Sequence, residues 1–361
     1  MRIGIDAREL GGHATGVGRY LGGLLAEWTE GNSGGNNAGA HEFVLYTAEP
    51  IAPLPDFGRS VTRIVGGPAG TWWEQVTLPR VAREDHLDVF FGPAYTLPLL
   101  LDVPRVVAIH DLSFFAHPEW FRFREGIRRR WITQRSADVA RSVITISAFS
   151  RGELLDRLGV PEARLHVIPP GVHTRGGTSG PREARVLYVG SIFNRRHVPD
   201  LIKAFGRVVR HVPHASLDIV GDNRSHPRED IQAAIAHEGL EGRIRWHAYL
   251  PDDLLSELYA KARAFAFLSE YEGLGLTPLE ALAAGVPPVL LDTPVARESC
   301  GSAALYVPLH DLAATAHALE LLLTDHAARA GVLGTAPDTL ANYSAARAAR
   351  DTLAVLEAAA R

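Results

Sequence analysis

At 361 residues, 46% apolar and 22% charged, the chain is long enough for about two domains of roughly 150 residues and has the composition of a globular enzyme. A net charge of −4 leaves no overall polycation for nucleic acid, and the single cysteine, Cys300, excludes an intrachain disulfide and a thiolate zinc cluster. A reducing compartment is expected.

Met1 to Asp6 reads as a buried strand with neither a basic n-region nor a long apolar h-region before it, so secretion is not expected. No uncharged apolar run reaches the roughly 20 residues of a membrane span, so a bilayer would be met only from its surface. Short apolar runs at Ile3 to Ile5, Phe43 to Tyr46, Val89 to Phe91, Val106 to Ile109 and Val143 to Ile146 alternate with helical-period segments such as Gly18 to Trp28 and Arg124 to Arg141. That alternation predicts a parallel α/β sheet. Gly31 to Ala40 reads as a surface loop, and Pro169-Pro170-Gly171 with the breaker-rich run to Pro181 as a linker. A second series follows: Arg185 to Val189, Ser216 to Val220, Arg243 to His247, Ala264 to Leu268, Pro288 to Leu291 and Leu305 to Val307. The expected organisation is an N-terminal domain over 1–172, a linker over 173–184 and a C-terminal domain over 185–342. A terminal helix over 343–361 is free to pack back on the N-terminal domain.

Five places carry candidate chemistry. Gly16-Val17-Gly18, with Arg19 beside it, lets backbone N–H groups approach a phosphate or acceptor at a helix start, but lacks the third glycine of a dinucleotide site. His110-Asp111 leaves the C-terminal end of a strand, and the alternative is a histidine satisfied by a neighbouring carboxylate. Ser147 begins a helix, where a plain N-cap is the alternative. Arg195 and Arg196 precede another helix, a poor place for a merely solvated basic pair because the dipole disfavours cations there.

The run Ser269 to Leu282 is the most informative. Thr277, Pro278 and Glu280 have the spacing of an N-cap, N1 and N3 capping box. Gly273-Leu274-Gly275-Leu276 ahead of them forms a turn feeding a helix N-terminus, which favours a diphosphate. Glu272 and Glu280 bracket that turn at a strand's C-terminal end, where open α/β sheets place ligands, and carboxylates accept hydrogen bonds from sugar hydroxyls. The alternatives are a solvated loop carboxylate at Glu272 and a self-capping Glu280.

The run EGLGLTPLEALAAGVPPVLLD resembles the E-x7-E signature of the retaining glycosyltransferases of family 4, and MRIGIDARELGGHATGVGRYLGGLL and LYVGSIFNRRHVPDLIKAF resemble other parts of that family. The resemblance implies a GT-B fold of two Rossmann-like, doubly wound parallel-sheet domains facing across a cleft. It also implies that Glu272 and His110 contact the donor sugar, Glu280 holds the ribose, and Arg195 and Arg196 clamp the diphosphate. Gly16 and Gly18 join the donor site, and Arg19 and Ser147 the acceptor side. Arg196 stands where most relatives have lysine, Pro170 where many have asparagine, and Ala345 where tryptophan is usual, which leaves the docking of the terminal helix open. The resemblance implies a retaining hexosyltransferase, expected to be cytoplasmic and without cofactor; metal independence is expected because no D-x-D triplet is present and Asp252-Asp253 lacks the spacing. GDP-mannose is favoured over UDP-glucose as donor, and the acceptor is a glycan, lipid-linked or small molecule. A nucleotide-sugar 2-epimerase and a silent sugar-binding subunit are the alternatives. Seven arginines and four aromatic residues across 120–141 suggest peripheral contact with the inner face of the membrane, against a reading of Trp131 as core.

Overall fold

The computed structural model of the chain describes residues 1–11, 16–29, 41–51, 60–67, 70–172 and 181–361. It divides into two compact units, Met1–Gly171 with Tyr343–Arg361, and Val172–Asn342. The expected loop over 31–40 and linker residues 173–180 lie outside the described residues, and 181–184 belong with the second unit.

The first unit is built on a parallel sheet of β1 (Arg2–Asp6), β2 (Glu42–Thr47), β3 (Ser60–Ile64), β4 (Val89–Gly92), β5 (Arg105–Ala108), β6 (Ser142–Thr145) and β7 (Leu165–Val167). Their order is β3-β2-β1-β4-β5-β6-β7. Ile3, Ile5, Val89, Phe91, Val106 and Ile144 are fully buried, as strands covered on both faces require. Two strands, β3 and β7, were not legible in the sequence. Both lie at sheet edges, where Val61, Ile64 and Val167 are exposed and no continuous apolar run is demanded.

The chain's last helix, Ala345–Ala360, belongs to this first unit. Its N-cap is Ser344, whose side chain accepts from the Arg347 amide. Leu353 and Leu356 are buried in one cluster with Leu21, Leu24, Leu25 and Trp28 of the helix Gly16–Thr29. Each such leucine contributes roughly 1.5–3 kcal/mol on burial. The Trp28 Nε1–H donates to the Ala349 carbonyl at 2.9 Å. Docking therefore proceeds without a tryptophan at Ala345, which instead lies against the bare backbone of Gly171.

The second unit holds β8 (Arg185–Val189), β9 (Ser216–Val220), β10 (Ile244–His247), β11 (Ala264–Phe267), β12 (Pro288–Leu291) and β13 (Leu305–Val307). They form a parallel sheet in the order β10-β9-β8-β11-β12-β13. Winding reverses between β1 and β4 in the first sheet and between β8 and β11 in the second, the crevice positions at which doubly wound sheets bind ligands. Among the described residues no helix is long and apolar enough to cross a membrane.

Candidate active site

In the second unit, candidate side chains gather at the C-terminal ends of the paired strands β8 and β11. After β8 comes Gly190, at φ 147°, where a Cβ would stand 2.9 Å from the Arg196 guanidinium. Glycine is required here both by backbone and by space. The 3-10 turn Asn194–Arg196 follows, and the helix Val198–His211 begins only after it. Both arginines thus precede the helix and fold back toward the strand ends.

Arg196 is the better held of the two. Its side chain is 13% exposed, its guanidinium sits 5.3 Å from the Phe193 ring centroid and 4.8 Å from that of Phe267, and its NH1 donates to the Ser191 carbonyl at 2.8 Å. Its Nε donates to Glu272 Oε1 at 2.7 Å. Arg195 stacks over Phe193 at 4.4 Å and donates from Nε to the Tyr271 carbonyl at 3.2 Å. Neither is a merely solvated cation.

Glu272 Oε1 also accepts from Ser269 Oγ at 2.8 Å. Burial pushes its pKa up, but Arg196, Arg195 and the Ser269 hydroxyl outweigh burial and hold it below the usual carboxylate value. Burial likewise opposes the charge on Arg196, and the Glu272 carboxylate more than offsets it, so the arginine's pKa is raised. The two form a fixed ion pair, not a solvated loop carboxylate near a mobile cation.

The glycine turn differs from its expected form. Gly275, at φ 92°, is the N-cap of the helix Leu276–Ala283, and no side chain caps that end. The left-handed glycine admits the chain to the helix before Thr277 is reached, so the predicted capping box does not form. Pro278 is still within the first turn, where its missing N–H breaks no bond. Glu280, within that helix, is 5% exposed.

In the first unit, His110 follows β5 and is buried. Its Nε2 lies 2.7 Å from the Pro93 carbonyl, not a carboxylate, and its ring meets Tyr20 edge-on at 4.8 Å and Tyr95 at 5.5 Å. Burial lowers its pKa against the Pro93 hydrogen bond and Asp111, so the neutral ring donates from Nε2. Ser147 is the N-cap of the helix Ala148–Leu158, accepting from the Ser150 amide, and Ser150 Oγ donates to the His110 carbonyl at 2.9 Å. Gly16, Gly18 and Arg19 lie in the first turn of the helix whose Tyr20 touches His110, and the space beside Gly16 is open. Ser269, Phe193 and Phe267 in the second unit and Tyr20 in the first were not singled out by sequence. Only the fold shows which functional groups they touch.

The helix Phe123–Val139 buries Gly126, Ile132, Thr133, Ser136 and Ala137. Phe123, Ile127 and Trp131, at a four-residue spacing, are 79%, 46% and 57% exposed, so Trp131 is not core.

Two doubly wound parallel sheets in succession, each with its candidate side chains at the strand ends, are the architecture of the GT-B enzymes. Residues 16–175 match the family described as Glycosyltransferase Family 4, and residues 176–332 that described as Glycosyl transferases group 1. The chain belongs to these glycosyltransferases and resembles their bacterial mannosyltransferases. It is 29% identical over 262 residues to the O-antigen chain mannosyltransferase B of Escherichia coli, covering 68% of each chain. It is 27% identical over 213 residues to the GDP-mannose:cellobiosyl-diphosphopolyprenol alpha-mannosyltransferase of Xanthomonas oryzae, covering 58% of this chain and 54% of that protein, about half its length. The structure of Anabaena HepE, solved with UDP-glucose, superposes with a TM-score of 0.77 at 16% identity over 99% of this chain and 100% of that one.

Proposed function

We propose that the chain transfers a hexose, mannose first among candidates, from a nucleotide-diphosphate sugar to a hydroxyl acceptor with retention at the anomeric carbon. The observation that carries this reading is the buried Arg196–Glu272 pair beside a glycine turn that opens a helix. The leaving group of such a donor is a nucleoside diphosphate, on which negative charge develops as the anomeric C–O bond breaks. Arg195, Arg196 and the first N–H groups of the helix Leu276–Ala283 present positive charge already fixed in place, so leaving-group charge meets donors that need no reorganisation. This supports catalysis without a metal on the diphosphate. Glu272, kept ionised, takes the donor sugar's hydroxyls, Glu280 the ribose, and neutral His110 the donor sugar through its ring. The departing phosphate oxygen then takes the acceptor proton on the same face.

GDP-mannose is favoured over UDP-glucose because relatives are named as mannosyltransferases and the name of one includes GDP-mannose. A lipid-linked acceptor at the inner face of the membrane is supported by the exposed Phe123, Ile127 and Trp131 among seven arginines. Incubating the purified chain with GDP-mannose and UDP-glucose, with and without glycan, polyprenyl and small-molecule acceptors, tests the reading. Acceptor-dependent release of GDP with a new α-linked product supports it. A donor changed without acceptor indicates an epimerase, and no change in either a silent subunit.

A further inference from the structure

We propose that His197, Asp200 and His310 form a binding site for a divalent transition-metal ion of the zinc class, which clasps the arginine turn to the loop after β13. The three residues come from separate places: the turn just after Arg196, the first turn of the helix Val198–His211, and the turn preceding the helix Leu312–Thr324. One ligand atom from each lies within 4.8 Å of the others. His310 Nδ1 is 2.8 Å from Asp200 Oδ2, and the two imidazoles meet edge-to-face at 4.9 Å.

Two further features point to a ligand. His197 and His310 both hold left-handed backbone, at φ 46° and 59°, a conformation that costs a side chain energy and that glycine would adopt freely. His197 Nε2 is buried with no hydrogen-bond partner; the nearest acidic oxygen, Glu270 Oε2, is 3.5 Å away. A buried ring nitrogen costs free energy unless something occupies it.

The donor set selects the ion. Two imidazoles and one carboxylate suit zinc, cobalt or nickel, whereas magnesium and calcium take oxygen. The exposed His310 side chain leaves an entry path, and three protein ligands leave a fourth position for water. The Lys203 ammonium lies 3.5 Å from Asp200 Oδ1 and leaves Oδ2 to face His310. Since His197 adjoins Arg196, an ion here restrains the turn that holds Glu272 without touching substrate. Metal binding at this site does not depend on the donor proposed above.

The test is titration of the full chain, freed of metal with EDTA and dialysed, with Co²⁺ followed by absorption and with Zn²⁺ by competition. One equivalent of Co²⁺ with a tetrahedral spectrum is expected, displaced by Zn²⁺ and weakened at least tenfold in both His310→Ala and Asp200→Asn. Zn²⁺ should raise Tm in the wild type and in neither variant. Asp200→Asn keeps the side chain's shape, so a fold defect confined to His310→Ala is separable by circular dichroism of the metal-free proteins. Absence of an equivalent, or Co²⁺ binding unchanged in folded variants, overturns the site.

Discussion

Arg196 Nε and Glu272 Oε1 meet at 2.7 Å across 76 residues of sequence, in a pair whose guanidinium packs against Phe193 and Phe267. The contact joins the turn after β8 to the turn after β11, so one interaction sets both the cation and the carboxylate to which the proposed reaction assigns the diphosphate and the sugar.

Loss of either partner should cut turnover by about 10²–10³, the range for removing one preorganised group. The two variants should differ in stability. Arg196→Ala strands a buried carboxylate and costs on the order of 3 kcal/mol, as broken buried pairs do, whereas Glu272→Gln leaves Arg196 its carbonyl and rings and costs less. The double variant should recover part of the loss. Steady-state kinetics with urea unfolding decides it, and wild-type turnover in a folded single variant removes that residue from the site.

Activity should persist in excess EDTA, because the proposed reaction assigns the diphosphate to Arg195 and Arg196 and not to a metal ion. The His310→Ala variant is the cleaner background, since it lacks the proposed zinc-class site. Activity lost on chelation and restored by Mg²⁺ or Mn²⁺ would sink the mechanism.

GDP should raise Tm more than UDP. A nucleotide at 100 times its dissociation constant adds about 2.7 kcal/mol, so a thermal-shift series separates bases that differ tenfold in affinity. Greater stabilisation by UDP reverses the donor assignment.

The chain should sediment with anionic liposomes at low salt and less at physiological salt, each basic residue near the surface being worth about 1 kcal/mol. Trp131→Ser and Phe123→Ser should weaken this without unfolding, because both side chains are exposed. Equal, negligible binding to anionic and neutral vesicles would favour a soluble acceptor.

Stability should fall on mild acidification. Burial lowers the pKa of His110 and of His166 from the ordinary 6.5, so the unfolded chain takes up protons first as pH drops. Their contribution is complete above about pH 6.5 and is lost below it, down to the depressed folded-state pKa. His110→Gln, which keeps an N–H for the Pro93 carbonyl, should flatten the slope between about pH 7 and 5.5 in urea titrations. A slope identical to wild type would show that His110 titrates alike in the folded and unfolded chains. The depressed Glu272 pKa adds a separate loss in the carboxylate range.

Sequence by itself determined the interior strands, because a strand covered on both faces must be an unbroken apolar run; β1, β4, β8 and β11 all announce themselves this way. It also marked Glu272, Glu280 and the arginine pair, since glycine turns and charges at strand ends are local patterns. Tertiary structure decided what those patterns mean. Gly275 takes the cap that Thr277 was expected to hold, because left-handed backbone enters a helix without a side-chain acceptor. Arg196 finds Glu272, and His197 finds His310, only because the winding of a parallel sheet carries distant turns to the same edge. The last helix joins the first unit because its leucines meet the helix Gly16–Thr29, a pairing that no window of sequence contains.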